Sequence, residues 1–492
     1  MNLPRPHDCF AVIVGSGFAG LGMAIALRRA KIRDFVVLEK AASLGGTWRD
    51  NHYPGCACDV PSHVYSFSFA PNPRWSETYA THSEILRYMQ EVADRFDVRR
   101  HLHFDSEVAS AEFDETRGRW IVTTTGGQVY RARVLVAGLG PLSRFSLPQI
   151  PGLERFAGKL MHSAAWDHSF DPRGKRIASV GTGASAIQFV PELAKVAEKL
   201  HVFQRTPAWV LPRKERAYSA AEKWLFARVP GARFAHRQAI FWSLELRSFA
   251  FVREPKLLRW AERWALRHLE EHVADPELRQ KLTPNYRMGC KRILMSNTYY
   301  PALARPNVEV VTTGIRELRA NSIVDDEGVE RPVDAVVFGT GFDVHDYLGK
   351  LKVKGRGGRD LGDHWAEHGA QAFLGTSVSG FPNLFLLVGP NTGLGHNSIV
   401  FMIESQIALV MRCIRELAKK PGQFIDVKPE VQASYNRQLQ KRLEGSVWHS
   451  GCRSWYVDAH GRNTTLWPGF SVGFRRATAR FHRRDYRFTR AS

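Results

Sequence analysis

Cysteine is scarce in this chain. The 492 residues hold six, Cys9, Cys56, Cys58, Cys290, Cys413 and Cys452, and their spacing matches neither a disulfide framework nor a zinc site. A reduced cytoplasm fits that usage. Cys56 and Cys58 stand one residue apart, too close for an unstrained disulfide, and read as packing residues near a cofactor. Long apolar runs are also missing. The most apolar stretch, Val229–Val252, is interrupted by Arg233, His236, Arg237, Glu245 and Arg247, so no run is long enough to span a bilayer. No signal peptide is expected, because Met1–Asp8 leads straight into the apolar run Phe10–Val14. Low-complexity tracts and recognisable nucleic-acid-binding motifs are absent as well.

Acidic residues are outnumbered, 48 against 69 Lys and Arg, for a formal net charge of +21. Such a field attracts polyanions. With no nucleic-acid motif, the excess reads as solvated faces plus cations that serve anionic cofactors, whose phosphates prefer Arg and Lys. The tail Phe474–Arg490 alternates arginines with Phe481, Tyr486 and Phe488. It reads as a docked strand or helix with its charges in water, and it leaves peripheral membrane contact open.

The length exceeds what one hydrophobic core supports, which predicts two or three domains. Two segments supply the organisation. The apolar run Phe10–Val14 enters Gly15-Ser16-Gly17-Phe18-Ala19-Gly20, then Leu21–Ala30 at helical spacing, then the apolar run Phe35–Leu38 ending in Glu39. Strand, glycine turn, helix, strand and acid in that order form a dinucleotide-binding unit. Gly15 permits the turn, Gly17 lets a pyrophosphate approach the backbone, and Gly20 lets the helix pack closely. Glu39 can accept hydrogen bonds from ribose hydroxyls.

The second unit runs from Arg176–Val180 through Gly181-Thr182-Gly183-Ala184-Ser185-Ala186 into Ile187–Lys199. Its next strand, His201–Gln204, ends in Arg205-Thr206 instead of an acid. An arginine there suits a 2'-phosphate. The first loop therefore reads as FAD-binding and the second as NADPH-binding, with Gly181, Thr182, Gly183, Ser185, Gln188, Arg205 and Thr206 as candidate contacts. Ala217–Leu282 is helical in spacing and too long for a loop. The predicted fold is α/β: two Rossmann-like, glutathione-reductase-type domains with a helical subdomain inserted in the second. The predicted divisions are an FAD-binding part at 1–150, a linker at 151–171, an NADPH-binding domain at 172–341 enclosing the helices of 217–282, and a return to the first domain at 342–492.

Between the two loops, Phe156-Ala157-Gly158-Lys159-Leu160-Met161-His162-Ser163-Ala164-Ala165-Trp166-Asp167 reads FxGxxxHxxxWD, and Gly45–Asp59 reads GGxWxxxxYPGxxxD. Together with the two glycine loops these motifs resemble the type I Baeyer-Villiger monooxygenases, within the class B flavin-dependent monooxygenases. The resemblance extends from about Phe10 to about Phe474. It implies FAD and NADPH as cofactors and a hydrophobic ketone and O2 as reactants. The implied product is an ester or lactone, formed through a C4a-peroxyflavin. It places Thr47, Trp48 and Tyr65 along the flavin and Asp59 near its reactive face. In the pair Lys291-Arg292 it assigns the lysine to the 2'-phosphate and the arginine to the oxygenating centre. A guanidinium stays protonated, so Arg292 would stabilise a developing anion, with Asp59 orienting it. The linker, including His162, reads as a hinge. Gly389–Asn397, ahead of a predicted helix from Ser398, is either a further flavin contact or a plain helix entry. The alternatives are a flavin-containing monooxygenase acting on nitrogen or sulfur, against which Trp166-Asp167 and Arg292 argue, and a non-catalytic basic flavoprotein. Which ketone is used and the oligomeric state are not legible in the sequence.

Overall fold

Two sheets, one mixed and one parallel, each with a strand that runs into a glycine turn, organise the computed structural model, which describes residues 6–452 and 454–491. Residues 1–5, part of the stretch read as leading into the first strand, lie outside the described residues.

In the first sheet His7–Val14 pairs in parallel with Phe35–Leu38 on one side and Val129–Ala137 on the other. From Cys9 onward the strand is apolar because it is covered on both faces, while His7 and Asp8 at its start are exposed. Ala11 and Ile13 pack with helices Phe18–Arg29 and Ile399–Ala418, while Val12 and Val14 pack with Trp120, Phe381 and Leu384. Each fully buried side chain of this kind contributes about 1.5–3 kcal/mol. Val108–Asp114, Arg119–Thr124 and Val129–Ala137 form an antiparallel meander continuous with the same sheet. Leu384–Leu386 adds a parallel strand against Leu135–Ala137, so a segment late in the chain lies in the first sheet.

The second sheet has five parallel strands in the order Val308–Val311, Lys199–Phe203, Arg176–Val180, Ala335–Phe338 and Lys159–His162. The fingerprint segment is thus itself the edge strand of that sheet. Helices Ala220–Arg228, Ala232–Val252, Leu258–His272 and Pro276–Leu282 form the insertion. The first of them starts at a capping box in which Ser219 and Glu222 satisfy each other's backbone amides. The two chain crossings between the sheets run side by side. Phe145 bridges Phe342, the Ser146 amide donates to the Gly341 carbonyl at 3.1 Å, and the Thr340 hydroxyl donates to the Ser146 carbonyl at 2.5 Å.

Three features depart from, or settle, what the sequence suggested. Cys290 and Cys452 are joined in a disulfide, 162 residues apart in sequence with Cα atoms 6.3 Å apart, although their spacing carries no framework pattern. Tertiary folding alone brings them together. Cys9, Cys56, Cys58 and Cys413 are free and buried. In the tail, Tyr486–Arg490 pairs with Gln423–Val427 and helix Ser471–Thr478 packs beside Ile399–Ala418. The tail is a docked element whose arginines face water. Among the described residues no helix is long and apolar enough to cross a membrane.

Candidate active site

The first glycine turn leaves a cradle at its mouth. A Cβ on Gly20 would lie 1.8 Å from the Gly15 carbonyl oxygen, so the helix seats against the turn only without a side chain there. A Cβ on Gly17 would meet nothing nearer than the Gly46 Cα at 3.9 Å, so this glycine faces open space. Helix Phe18–Arg29 starts with no side-chain cap and no acid in its first turn. Its amides are therefore free to take an anion. Glu39 is buried beside the turn, its carboxylate accepting from the Ser16 amide at 2.9 Å and hydroxyl at 2.6 Å and from the Ala41 amide at 3.1 Å. Arg49 closes the far side at 3.1 Å. An anionic dinucleotide with an adjacent ribose fits this donor set.

The second turn repeats the geometry. Gly15 and Gly181 both take positive φ, 94° and 104°, and each lies against the glycine that follows a closing strand, Gly138 or Gly339. Gly183 faces open space. Helix Ala186–Ala194 starts at Ser185 without a side-chain cap and without an acid. The Thr182 hydroxyl donates to the Thr206 carbonyl at 3.1 Å, tying the turn to the segment that carries Arg205. Lys291, whose ammonium lies 4.9 Å over the Tyr286 ring, has its pKa lowered by burial and then by the charge of Arg205. Two cations that repel one another at a nucleotide mouth fit a 2'-phosphate.

Asp59 and Arg292 meet across 233 residues. The Nε and Nη2 of Arg292 both donate to Oδ2 of Asp59, at 3.0 and 2.5 Å, and about a third of each side chain is exposed, 33% and 32%. The charge of Asp59 raises the Arg292 pKa against the opposing effect of burial. Burial pushes Asp59 up, but Arg292, followed by Arg213, brings it to a net value below the ordinary carboxylate range. The pair is therefore ionised at neutral pH, with the guanidinium fixed in direction. Trp48 donates its indole N–H to the Tyr65 hydroxyl at 3.1 Å, and Tyr65 packs edge-on against Phe18 of the first glycine helix. Thr47 opens the same short helical turn, Thr47–Asp50, and its carbonyl accepts from the Asn51 side chain at 3.0 Å. The GGxWxxxxYPGxxxD motif thus runs along one wall from the cradle to Asp59.

Gln188 bonds to the YPG loop. Its amide accepts from the Tyr53 hydroxyl at 2.9 Å and donates to the Ala57 carbonyl at 3.0 Å, so it positions the YPG loop against the second domain. His162 is also structural in its contacts. It stacks on Phe145 at 4.6 Å and lies edge-on to Phe342, and burial lowers its pKa to about 4. A neutral ring therefore sits where the two crossings touch. At Gly389–Asn397 the helix entry is self-capped, with Ser398 accepting from the Val400 amide at 3.2 Å and Asn397 donating to Glu245 at 2.8 Å.

Three residues of this region carry no local sequence signal. Arg213 donates to the Cys58 carbonyl at 3.0 Å and stacks 4.5 Å over Tyr79, steadying the strip that ends in Asp59. Tyr456 is buried within the field of Arg292, its pKa raised by burial to about 12. Cys452, in the same loop as Tyr456, is bonded to Cys290, two residues before Arg292. Only the folded chain shows that these residues share a neighbourhood.

Comparison with known proteins agrees with this geometry. The family described as flavin-binding monooxygenase-like matches residues 10–350. A Baeyer-Villiger monooxygenase of Pseudomonas aeruginosa is 48% identical over 485 residues, 98% of this chain and 92% of that protein. Among solved structures, an oxidised steroid monooxygenase bound to NADP superposes with a TM-score of 0.87 at 32% identity, covering 98% of this chain and all of the other. A complex of the protein called OTEMO with FAD and NADP superposes with a TM-score of 0.87 at 25% identity, over 98% of this chain and 99% of that one. The chain belongs to the flavin-binding monooxygenase-like family and, within it, to the Baeyer-Villiger monooxygenases, enzymes that use FAD and NADPH.

Proposed function

We propose that Arg292, held by Asp59, is the electrostatic centre of a Baeyer-Villiger oxygenation that converts a hydrophobic ketone to an ester or lactone. The two-point contact of Arg292 with one carboxylate oxygen carries the reading, because it fixes a permanent cation at a partly open position between the two nucleotide cradles. Bound FAD supplies the redox chemistry, accepting hydride from NADPH and activating O2. The chain's own residues bind and orient. Gly17, Glu39, Trp48 and Tyr65 hold the flavin nucleotide; Gly183, Thr182, Ser185 and Thr206 hold the nicotinamide nucleotide, with Arg205 and Lys291 on its 2'-phosphate. Arg292 stabilises negative charge that develops on oxygen as the carbonyl is attacked. Asp59 sets its direction and takes no proton. The enzyme would work in the cytoplasm, where NADPH is regenerated. There Cys290 and Cys452 would be two thiols in contact instead of a disulfide.

The test is Arg292→Ala, assayed for flavin absorbance, NADPH reduction of the flavin, and ester by mass spectrometry over linear, cyclic, aryl and steroid ketones. Flavin content and reducibility should persist. Ester formation should fall by about 10²–10³, the usual effect of removing one preorganised oxyanion donor. Undiminished ester formation would remove Arg292 from this role.

A further inference from the structure

Ten of the sixteen large hydrophobic side chains that are exposed among the described residues lie between Trp224 and Trp264, in the helical insertion. On helix Ala232–Val252 the inner face is anchored: Phe241, Leu244, Glu245, Ser248 and Phe251 are buried. Glu245 accepts from Asn397 at 2.8 Å, from the Val472 amide at 3.0 Å and from the Ser471 hydroxyl at 2.5 Å. The outer face presents Phe234 (66% exposed), Trp242, Leu246 (68%) and Phe249, which fall at helical spacing on one side. Helix Leu258–His272 shows Trp260 (71% exposed) and Trp264 interleaved with exposed Arg259, Arg263 and Arg267. Arg263 stacks over Trp260 at 5.3 Å.

Charge on this surface is mostly of one sign. From residue 223 to residue 269 seven basic side chains are exposed and no acidic one is; the exposed acids Glu270 and Glu271 come only at the end of helix Leu258–His272. Glu245, Glu254 and Glu262 are all buried or partly covered. A second copy of the chain meeting this face through a two-fold axis would set cations against the same cations. An apolar face rimmed by arginines instead complements a layer whose interior is hydrocarbon and whose surface carries phosphate. Tryptophan suits that boundary, with an apolar body and one polar N–H. No helix here can span a bilayer, so the contact is parallel to the surface.

We infer that the helical insertion, through Phe234, Trp242, Leu246, Phe249, Trp260 and Trp264, seats the protein on an anionic lipid surface. The inference holds whichever ketone the enzyme uses, since it rests on the exposed side chains of the insertion alone.

The test is flotation of the FAD-loaded full chain with vesicles of phosphatidylcholine alone or with one third phosphatidylglycerol, and light scattering without lipid. Binding to the anionic vesicles should exceed binding to the neutral ones by about tenfold or more and weaken in high salt. The triple change Arg259→Gln, Arg263→Gln and Arg267→Gln should weaken it by about a hundredfold. The double change Phe234→Ser and Leu246→Ser should abolish flotation while flavin content and circular dichroism stay as they were. Equal binding to both vesicle types, or no flotation at all, would overturn the inference. So would a dimer in lipid-free solution that the double change converts to monomer.

Discussion

At the residue scale, each nucleotide mouth makes a prediction that separates folding from binding. Gly20→Ala puts a Cβ 1.8 Å from the Gly15 carbonyl oxygen, so the first unit should fail to assemble and the protein should be recovered insoluble or without flavin. Gly17→Val places its side chain in open space, so circular dichroism should be unchanged while FAD absorbance after reconstitution drops. If Gly17→Val retains full flavin, the cradle is misplaced. At the second mouth, Arg205→Ala and Lys291→Ala should each raise the Michaelis constant for NADPH about tenfold with little effect on NADH, since each removes one charge-assisted contact to the 2'-phosphate. Equal rises for both coenzymes would refute the assignment. The two glycine turns, with Glu39 beside the first and Arg205 past the strand that follows the second, were legible because turn and strand end are local features of the sequence. The GGxWxxxxYPGxxxD stretch was legible only through resemblance, and Arg213 and Tyr456 not at all, because their partners are far away in sequence.

At the scale of elements, one buried carboxylate fastens the helical insertion. Burial would raise the Glu245 pKa, but the His396 ring 3.6 Å away and hydrogen bonds from Ser471, Val472 and Asn397 bring it to about 2. A depressed carboxylate stabilises above its unfolded value, about 4.3, and loses that contribution as pH falls toward the folded value. The shift corresponds to about 3 kcal/mol. Thermal melts should therefore decline steeply between about pH 4.5 and pH 2. Glu245→Gln should lower the melting temperature at pH 7 and flatten that decline; an unchanged profile would show that the carboxylate anchors nothing. The strand, glycine turn and helix of each nucleotide unit were readable from period and composition. The antiparallel meander that includes Val108–Asp114 was only partly readable, since half-buried strands lack the continuous apolar runs of the parallel sheets. The Cys290–Cys452 pairing was hidden because loop closure over so long a separation leaves no spacing signature.

At the scale of the whole molecule, the contacts nearest the chain crossings join the two nucleotide domains. The two crossings touch at Phe145 and Phe342, with His162 packed against them, and Gln188 ties the YPG loop to the second domain. Gln188→Ala would leave the buried Tyr53 hydroxyl and the Ala57 carbonyl without partners, a loss of about 1–3 kcal/mol at the domain contact. Flavin content should be unchanged, while NADPH oxidation without ester formation, read as hydrogen peroxide, should rise. Unchanged coupling would mean that the contact does not govern domain placement. Placement matters because, in the proposed function, hydride delivery and oxygen transfer both occur beside Arg292. The most direct measurement is turnover of a ketone with NADPH under ¹⁸O₂. An ester carrying one ¹⁸O atom per NADPH consumed is the predicted result. An unlabelled product, or NADPH consumed to give only hydrogen peroxide across the whole ketone panel, would contradict it.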